Sequence, residues 1–231
     1  MNIKGIKSQA NYALKLDNRI NTFSLIVLIG QLISIGLSSV PNLFSVFTEE
    51  LVIEYPALTL VTSIPTFIIS LFFSPLYSYA LASAALKIIR HKNVSLNELI
   101  SGFQVYGTIL VYHLVTSIYV VLGAFAFIIP GVMLAYSYSM GYYIIAEDPS
   151  ISATEARKKS AEMMKGYRFE LFKLDFSFFG WYILSIFTLG LLTLWVVPKH
   201  DTARAVFYQK LKAIKYGEDN LDIIDENSFQ I

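Results

Sequence analysis

Residues 103–147 decide the fold: FQVYGTILVYHLVTSIYVVLGAFAFIIPGVMLAYSYSMGYYIIAE. No Asp, Glu, Lys or Arg occurs in this stretch before its last residue. A helix of about 20 apolar residues crosses the core of a bilayer, and the stretch offers two apolar runs, 103–129 and 131–147. Pro130 and Gly131 lie where the runs meet, and both residue types favour a break in a helix. The stretch therefore predicts a tight hairpin of two transmembrane helices.

The rest of the chain shares this apolar character. Of 231 residues, 55% are apolar and 15% are charged, and the mean hydropathy is +0.56. A soluble domain carries about 25% charged residues. The composition excludes a disordered chain, a nucleic-acid-binding domain and an ordinary soluble enzyme. We expect an all-α, polytopic membrane protein with one transmembrane domain over 1–215 and an acidic, flexible tail over 216–231.

Further apolar runs complete the predicted bundle. Pro41 is expected to end the first helix, and Pro65 and Pro75 are expected to kink the second. The last apolar region forms one helix or two, and the candidate turn is Thr188-Leu189-Gly190. With that turn, the chain has about six spans. They are predicted at 20–40, 62–88, 103–129, 131–147, 171–188 and 191–211.

The polar segment 152–165 predicts an amphipathic helix. Ser152 and Glu155 have the spacing of a capping box, in which each side chain bonds the backbone N–H of the other residue. We expect this helix to lie on the cytoplasmic membrane surface; the alternative is a solvated linker helix. Its apolar face comprises Ala153, Ala156, Ser160, Met163 and Met164. A weaker version of the pattern occurs near the N-terminus, where Ile6, Ala10, Ala13 and Leu14 share a face.

The distribution of charge predicts the topology. Lys and Arg favour the cytoplasmic side of a membrane. With six spans and both termini in the cytoplasm, all 18 Lys and Arg lie on that side, whereas a five-span arrangement places the last five outside. We therefore expect a multi-pass protein of the cell membrane with anionic lipids as partners at its cytoplasmic face. No nucleic-acid partner is expected.

Several polar side chains lie at predicted membrane depth. Ionisable groups in this position are costly and raise a functional hypothesis. For His113 the alternative is a neutral histidine bonded to a neighbouring helix. Near Pro198 the chain either lines a polar cavity or leaves the membrane, and Asp201 has the i,i+3 spacing to pair with Arg204. The candidate polar residues are Gln104, His113, Lys199, His200, Asp201 and Arg204.

Small residues repeat every four positions in three predicted spans. Such spacing lets helix backbones approach closely. We expect packing within the bundle first and oligomer contacts second. The candidate packing residues are Gly30, Ser34, Ser38, Ala80, Ala84, Ser137 and Gly141.

The sequence offers no set of catalytic residues. It has no cysteine and only three histidines, and it contains no HExxH, GxSxG or phosphate-binding glycine loop. The adjacent carboxylates Glu147 and Asp148 point apart, and we interpret them as a solvated helix end. We expect no enzymatic activity, no cofactor and no metal.

Several short motifs carry a family resemblance. They are Ile129-Pro130-Gly131, Met164-Lys165-Gly166, Ser177-Phe178-Phe179-Gly180-Trp181 and Leu194-Trp195-Val196-Val197-Pro198. Over nearly its whole length the chain resembles a bacterial integral membrane family, domain of unknown function number nine hundred and seventy-five. Lys199 departs from the family, which usually has Tyr at this position. More distantly, the chain is similar to the membrane domain of some glycerophosphodiester phosphodiesterases.

The resemblance implies a compact helical membrane domain with no known activity. We therefore expect a non-enzymatic accessory or scaffold component of the bacterial cell membrane, working with another membrane protein subunit. The alternative is a small transporter, exporter or immunity-type protein with a polar path near His113 and Lys199–Arg204. A membrane enzyme acting on lipids has the weakest support.

Overall fold

Helices supply all the regular structure that the computed structural model describes, which covers residues 1–16, 19–47 and 58–217. The predicted acidic tail beyond Gly217 lies outside these residues. The helices are α1 (Ile3–Lys15), α2 (Arg19–Phe47), α3 (Leu58–Ile89), α4 (Glu98–Ser101), α5 (Tyr106–Ala126), α6 (Ile128–Ser137), α7 (Gly141–Glu147), α8 (Ala153–Met163), α9 (Arg168–Phe187) and α10 (Thr193–Tyr216), with a 3₁₀ turn at Gly102–Val105.

Four helical segments of the described chain are long and apolar enough to cross a membrane. They are Arg19–Leu37, Phe67–Ile89, Glu98–Ala126 and Ile128–Glu147. The protein is therefore an all-α membrane protein. By the same measure of length and composition, α9 and α10 carry too many charged side chains to qualify.

The central hairpin breaks earlier than the sequence predicts. Helix α5 ends at Ala126, Phe127 is extended, and α6 begins at Ile128. Pro130 lies in the first turn of α6, where a backbone N–H has no partner within the helix. Gly131 brings the two helices together, since an added β-carbon would lie 2.7 Å from the Ala124 Cβ.

The second limb of this hairpin is also two helices rather than one. Residues 138–140 form a turn that separates α6 from α7. The turn leaves backbone carbonyl groups outside the regular helical pattern, so they are available to side chains from other helices.

Prolines do not end the first two long helices. Helix α2 continues beyond Pro41 to Phe47, and α3 contains both Pro65 and Pro75. A proline removes one backbone hydrogen bond, and membrane helices tolerate that loss because neighbouring groups can satisfy the freed carbonyl.

Helices α3 and α10 form the centre of the bundle. Helix α3 contacts α2, α5, α7 and α10, while α10 also contacts α1, α2 and α9. Phe207 and Tyr208 of α10 are fully buried, as is Ile88 of α3. At the far end of the α9–α10 hairpin the chain turns at Thr188–Gly190, where Gly190 adopts a φ of +84° that favours glycine.

The N-terminal helix α1 docks on this centre. The face that the sequence groups together, Ile6, Ala10, Ala13 and Leu14, is buried and packs mainly against α10. The Lys7 Nζ donates to the backbone oxygen of Ser177 at 3.3 Å and to its hydroxyl at 3.2 Å. Partial burial lowers the pKa of Lys7.

Helix α8 begins with the capping box that the sequence predicts. The Ser152 hydroxyl accepts from the Glu155 backbone N–H at 3.2 Å, and the Glu155 carboxylate accepts from the Ser152 backbone N–H at 3.3 Å. The residues that face inward, Ala156, Ser160 and Met163, are buried against α5, α6, α7 and α10. The apolar face of α8 therefore contacts the bundle.

Gly141→Ala should destabilise the folded protein. A β-carbon at Gly141 would collide with the buried ring of Tyr112, and overpacking of this kind costs about 1–3 kcal/mol. Thermal unfolding in detergent measures the loss. Gly107→Ala is the matched control because nothing lies within 4 Å of the added carbon. Equal melting temperatures for the two variants would contradict this packing.

The capping box should make the first turn of α8 sensitive to acid. Hydrogen bonds from Ser152 lower the pKa of Glu155. The stabilisation is therefore present above the ordinary carboxyl pKa and is lost as the pH falls through the lowered pKa. Hydrogen exchange, corrected for intrinsic rates, should show α8 amides losing protection in acid. Ser152→Ala should weaken this pH dependence, because it removes the hydroxyl contacts but keeps the backbone N–H that bonds Glu155, whereas Glu162→Gln on the same helix should preserve it.

Candidate functional site

A cleft of about 620 Å³ lies between α3, α5, the α6–α7 segment and α10. It brings together polar residues from distant parts of the sequence, including His113, Asp201 and Arg204. Its volume is within the range of about 300–1,000 Å³ that small-molecule sites occupy. Five tyrosines line the walls: Tyr112, Tyr136, Tyr138, Tyr142 and Tyr143.

The break between α6 and α7 shapes the cleft. Gly141 has no β-carbon, so the Tyr112 ring of α5 packs directly against the α7 backbone. The Tyr112 hydroxyl donates a hydrogen bond to the backbone oxygen of Tyr138 in the turn. The Tyr112 and Tyr142 rings meet edge to face, with centroids 5.3 Å apart. The turn thereby fixes the tyrosines of three elements around one space.

His113 joins three helices at the cleft wall. Its Nδ1 shares a hydrogen bond with the Tyr142 hydroxyl at 2.8 Å, and its Nε2 shares one with the Ser74 hydroxyl at 3.2 Å. The side chain is half-buried. This geometry matches the alternative of a histidine bonded to neighbouring helices, and it also places the imidazole at the cleft.

Asp175 is the ionic centre of the α9–α10 hairpin. Its carboxylate accepts from the Arg204 Nε at 2.8 Å and from the Arg204 Nη2, and the His200 Nε2 donates to it at 2.8 Å. The His200 Nδ1 lies 2.8 Å from the Tyr182 hydroxyl. A neutral His200 satisfies both contacts, since Nε2 carries the proton and Nδ1 accepts from the phenol.

The i,i+3 spacing would allow Arg204 to pair with Asp201 on the same helix. Arg204 instead pairs with Asp175 on the neighbouring helix. The Asp201 carboxylate makes no hydrogen bond or ion pair within the described chain, although Tyr143 donates to its backbone oxygen at 3.3 Å. Asp201 lines the cleft. The carboxylate is thus available to a ligand.

Two predicted polar residues lie elsewhere. Gln104 is exposed in the 3₁₀ turn before α5 and does not line the cleft. Lys199 is exposed and borders a separate cavity of about 260 Å³ together with Lys7 and Trp195. The cleft therefore unites three of the six predicted polar residues, and His200 supports it through Asp175.

Most of the described small residues are buried or lie at contacts between helices, whereas Ser34 is exposed. A β-carbon at Gly30 would collide with Tyr77 of α3. Ser34 donates to the Gly30 backbone oxygen at 2.8 Å. The Ser137 backbone oxygen accepts from the Ser160 hydroxyl at 2.8 Å. The side chain of Ser38 lies outside the described part. Ala80, Ala84 and Ser137 are buried, and Gly141 carries the Tyr112 contact described above.

The sequence did not predict that the Glu147 side chain connects several helices. This side chain is 18% exposed and binds Arg90, the residue after α3, and Lys212 of α10, the latter at 3.0 Å. The Tyr208 hydroxyl donates to the same carboxylate at 2.5 Å. The expected solvated helix end is therefore a three-helix junction. The available signal was an acidic residue at the end of an apolar helix, on the side that carries the cations.

A second buried carboxylate, Glu98, was also missed. Its side chain is 2% exposed and accepts from the Ser83 hydroxyl at 2.8 Å and from the Lys87 Nζ. Nearby, the Arg19 guanidinium donates to the backbone oxygens of Ile88 and His91 at 3.1 and 3.2 Å. Several cations of the basic end thus hold helices together.

Asp175→Asn should destabilise the protein far more than Glu170→Gln. The Asp175 and Arg204 side chains are only 13% and 27% exposed, so the loss of the carboxylate leaves Arg204 without its counter-charge in a largely water-excluded place, which costs on the order of 3 kcal/mol. The Glu170–Lys173 pair is more exposed, and such pairs contribute about 1 kcal/mol or less. Chemical denaturation in a bilayer mimetic measures both. Similar losses would contradict a buried ionic centre at Asp175.

The comparisons with known proteins concern the C-terminal part of the chain. Residues 125–215 match the family described as "Protein of unknown function (DUF975)". The match includes α6 to α9, almost all of α10 and one wall of the cleft. No curated protein and no solved structure matches the chain significantly. In this region the chain is similar to a domain of unknown function.

Proposed function

We propose that the protein is a six-span, non-enzymatic protein of the cell membrane that binds a small molecule in the tyrosine-lined cleft. The cleft is the observation that carries the proposal. It gathers His113, Asp201 and Arg204 between apolar helices, where unused polar groups are costly. In this proposal the cleft is the polar path expected of a small transporter, exporter or immunity-type protein.

The outward face of α9 supports two further spans. Four rings form an exposed or half-exposed stack along the helix, with successive centroids 5.9, 5.9 and 5.7 Å apart. Two charged groups of the same hairpin, Asp175 and Arg204, pair between α9 and α10. An apolar outside and a paired interior suit a hairpin in lipid. The stacked rings are Phe169, Phe172, Phe176 and Phe179.

The two ends of the bundle differ in charge. The tips of the hairpins are apolar and exposed, at Phe127 and Leu189. The opposite end carries Arg19, the Glu147 junction and the exposed Lys158 of α8. Lys and Arg favour the cytoplasm, so both termini and α8 belong on that side. The exposed cations there suit anionic lipids.

The geometry at His113 favours binding over chemistry. Ser74 and His113 are placed as a nucleophile and its base would be. The second imidazole nitrogen meets the Tyr142 phenol, whereas a catalytic imidazole of this type is oriented by a carboxylate.

An accessory role beside another membrane subunit is the second candidate. The ordered aromatic stack on α9 favours it, because aromatic residues are enriched at protein interfaces. Co-purification in native bilayer particles tests this candidate, and it predicts a stoichiometric second subunit.

Cysteine labelling tests the six-span topology directly, because the chain has no native cysteine. Leu189→Cys, at a residue 95% exposed, should react with an impermeant maleimide in intact cells. Ser150→Cys should react only after permeabilisation, and Phe127→Cys reports the tip of the central hairpin. If α9 and α10 do not cross, Leu189→Cys will behave like Ser150→Cys.

Ala135→Trp should abolish ligand binding by filling the cleft. Ala135 lines the cleft on α6. Val132→Trp is the matched control, since Val132 is exposed on the same helix but does not line the cleft. Native mass spectrometry of polymer-extracted protein should find a bound species in the wild type and the control only. An equal mass profile in all three proteins would contradict the proposed binding role.

A further inference from the structure

We propose that the cleft binds an organic cation, with the Asp201 carboxylate as its counter-ion and tyrosine rings as its walls. The proposal rests on the proposed function, because it names the class of ligand for the same cleft. The ligand carries an ammonium or similar positive group on an apolar body.

The charges around the cleft leave one carboxylate unmatched. The Arg204 guanidinium is held at two points by Asp175 of α9. His200, between Asp175 and Tyr182, satisfies its contacts in the neutral form. The Asp201 carboxylate makes no hydrogen bond or ion pair of this kind among the described residues, although the charge of Arg204 lies close enough to act on it. An unpaired carboxylate between apolar helices is unfavourable, and a cationic ligand would remove that penalty.

Three of the five tyrosines that line the cleft have hydroxyl groups already engaged in hydrogen bonds within the chain. Tyr112 donates to the backbone oxygen of Tyr138, and Tyr143 donates to that of Asp201. The Tyr142 hydroxyl shares its bond with His113. These three side chains therefore present ring faces and oxygen lone pairs to the cleft. Both attract cations, and neither offers a proton to an anion.

The rim of the cleft shows the same interaction within the chain. The Arg157 guanidinium of α8 lies 4.6 Å from the ring centroid of Tyr119 and 6.0 Å from that of Tyr138, which lines the cleft. These distances are within the range for cation–π contacts. Aromatic rings of this wall thus already bind one cation.

Size distinguishes an organic cation from a metal ion. A volume of about 620 Å³ far exceeds that of an inorganic ion. Among the described residues, no group of three or more His, Asp or Glu side chains is placed to hold a metal. The apolar walls instead suit a hydrocarbon or aromatic body around one charge. The positive group belongs either to a free amine or to the headgroup of an aminophospholipid.

A pair of ions with the same shape tests the charge preference. Tetraphenylphosphonium and tetraphenylborate differ in the sign of their charge. Binding of each is measured by equilibrium dialysis on wild-type protein in bilayer particles, after subtraction of the Ala135→Trp signal to remove partition into lipid. The wild type should bind the cation and not the anion. Equal binding of both ions, or a preference for the anion, overturns the proposal.

The role of Asp201 is tested with an isosteric variant. Asp201→Asn should weaken tetraphenylphosphonium binding about tenfold or more, because the counter-charge is lost. Asp148→Asn, at an exposed loop residue, should bind as the wild type does. Unchanged affinity in Asp201→Asn overturns the assignment of the counter-ion. If Asp201→Asn does not fold, the wild-type comparison of the two ions still decides the proposal.

Competition identifies the source of the cation. Displacement of tetraphenylphosphonium by lysophosphatidylethanolamine assigns a lipid headgroup, and displacement by spermidine alone assigns a soluble amine. Displacement by neither contradicts a cationic ligand. Failure of this inference can be distinguished from failure of the proposed function. If the cleft holds a bound species but shows no charge preference, only the inference of a cationic ligand is wrong. If the cleft holds no bound species, the proposed binding function is wrong as well.

Discussion

The ion pair between Asp175 and Arg204 is the interaction on which the α9–α10 hairpin depends. A guanidinium in an apolar bundle is unfavourable without a counter-charge, and Asp175 supplies two of its hydrogen bonds. With the pair formed, α10 can lie at the centre of the bundle, in contact with α1, α2, α3 and α9. The pair also fixes Asp201, one turn away, at the wall of the cleft.

The basic end of the molecule is stabilised by a second set of charges. Glu147 joins α7 to Arg90, the residue after α3, and to Lys212 of α10, and Glu98 is buried against α3. The cations that predict topology therefore also bind carboxylates within the protein. The α6–α7 turn arranges the tyrosines around the cleft, and the Asp175–Arg204 pair supports the wall formed by α10.

The sequence predicted the features that depend on local spacing. The all-helical class, the membrane-length apolar runs and the Ser152–Glu155 capping box follow from patterns within one helix. The Asp175–Arg204 pair joins residues 29 positions apart, so spacing along one helix favoured Asp201 as the partner instead. The Glu147 junction likewise depends on residues from two other helices. Spacing along one helix cannot predict which of several possible ion-pair partners is used, because the packing of different helices determines the partner.

The break of the central hairpin shows a second limit. Proline and glycine predict that the chain turns, but a proline in the first turn of a helix loses no hydrogen bond. The break between the helices therefore lies at Phe127, and Pro130 is part of the first turn of α6. In the same way, the tyrosines of α6 and α7 were visible in the sequence. Their convergence with Tyr112 depends on the turn at 138–140 and on Gly141, which no periodic pattern reveals.

A double-mutant cycle on Asp175 and Arg204 tests the central claim most directly. The free energy of unfolding is measured in a bilayer mimetic for Asp175→Asn, Arg204→Gln and the double variant. A buried pair across α9 and α10 predicts a coupling energy above about 1 kcal/mol. The double variant should then be little less stable than either single variant. Additive losses, with a coupling energy near zero, would contradict the account.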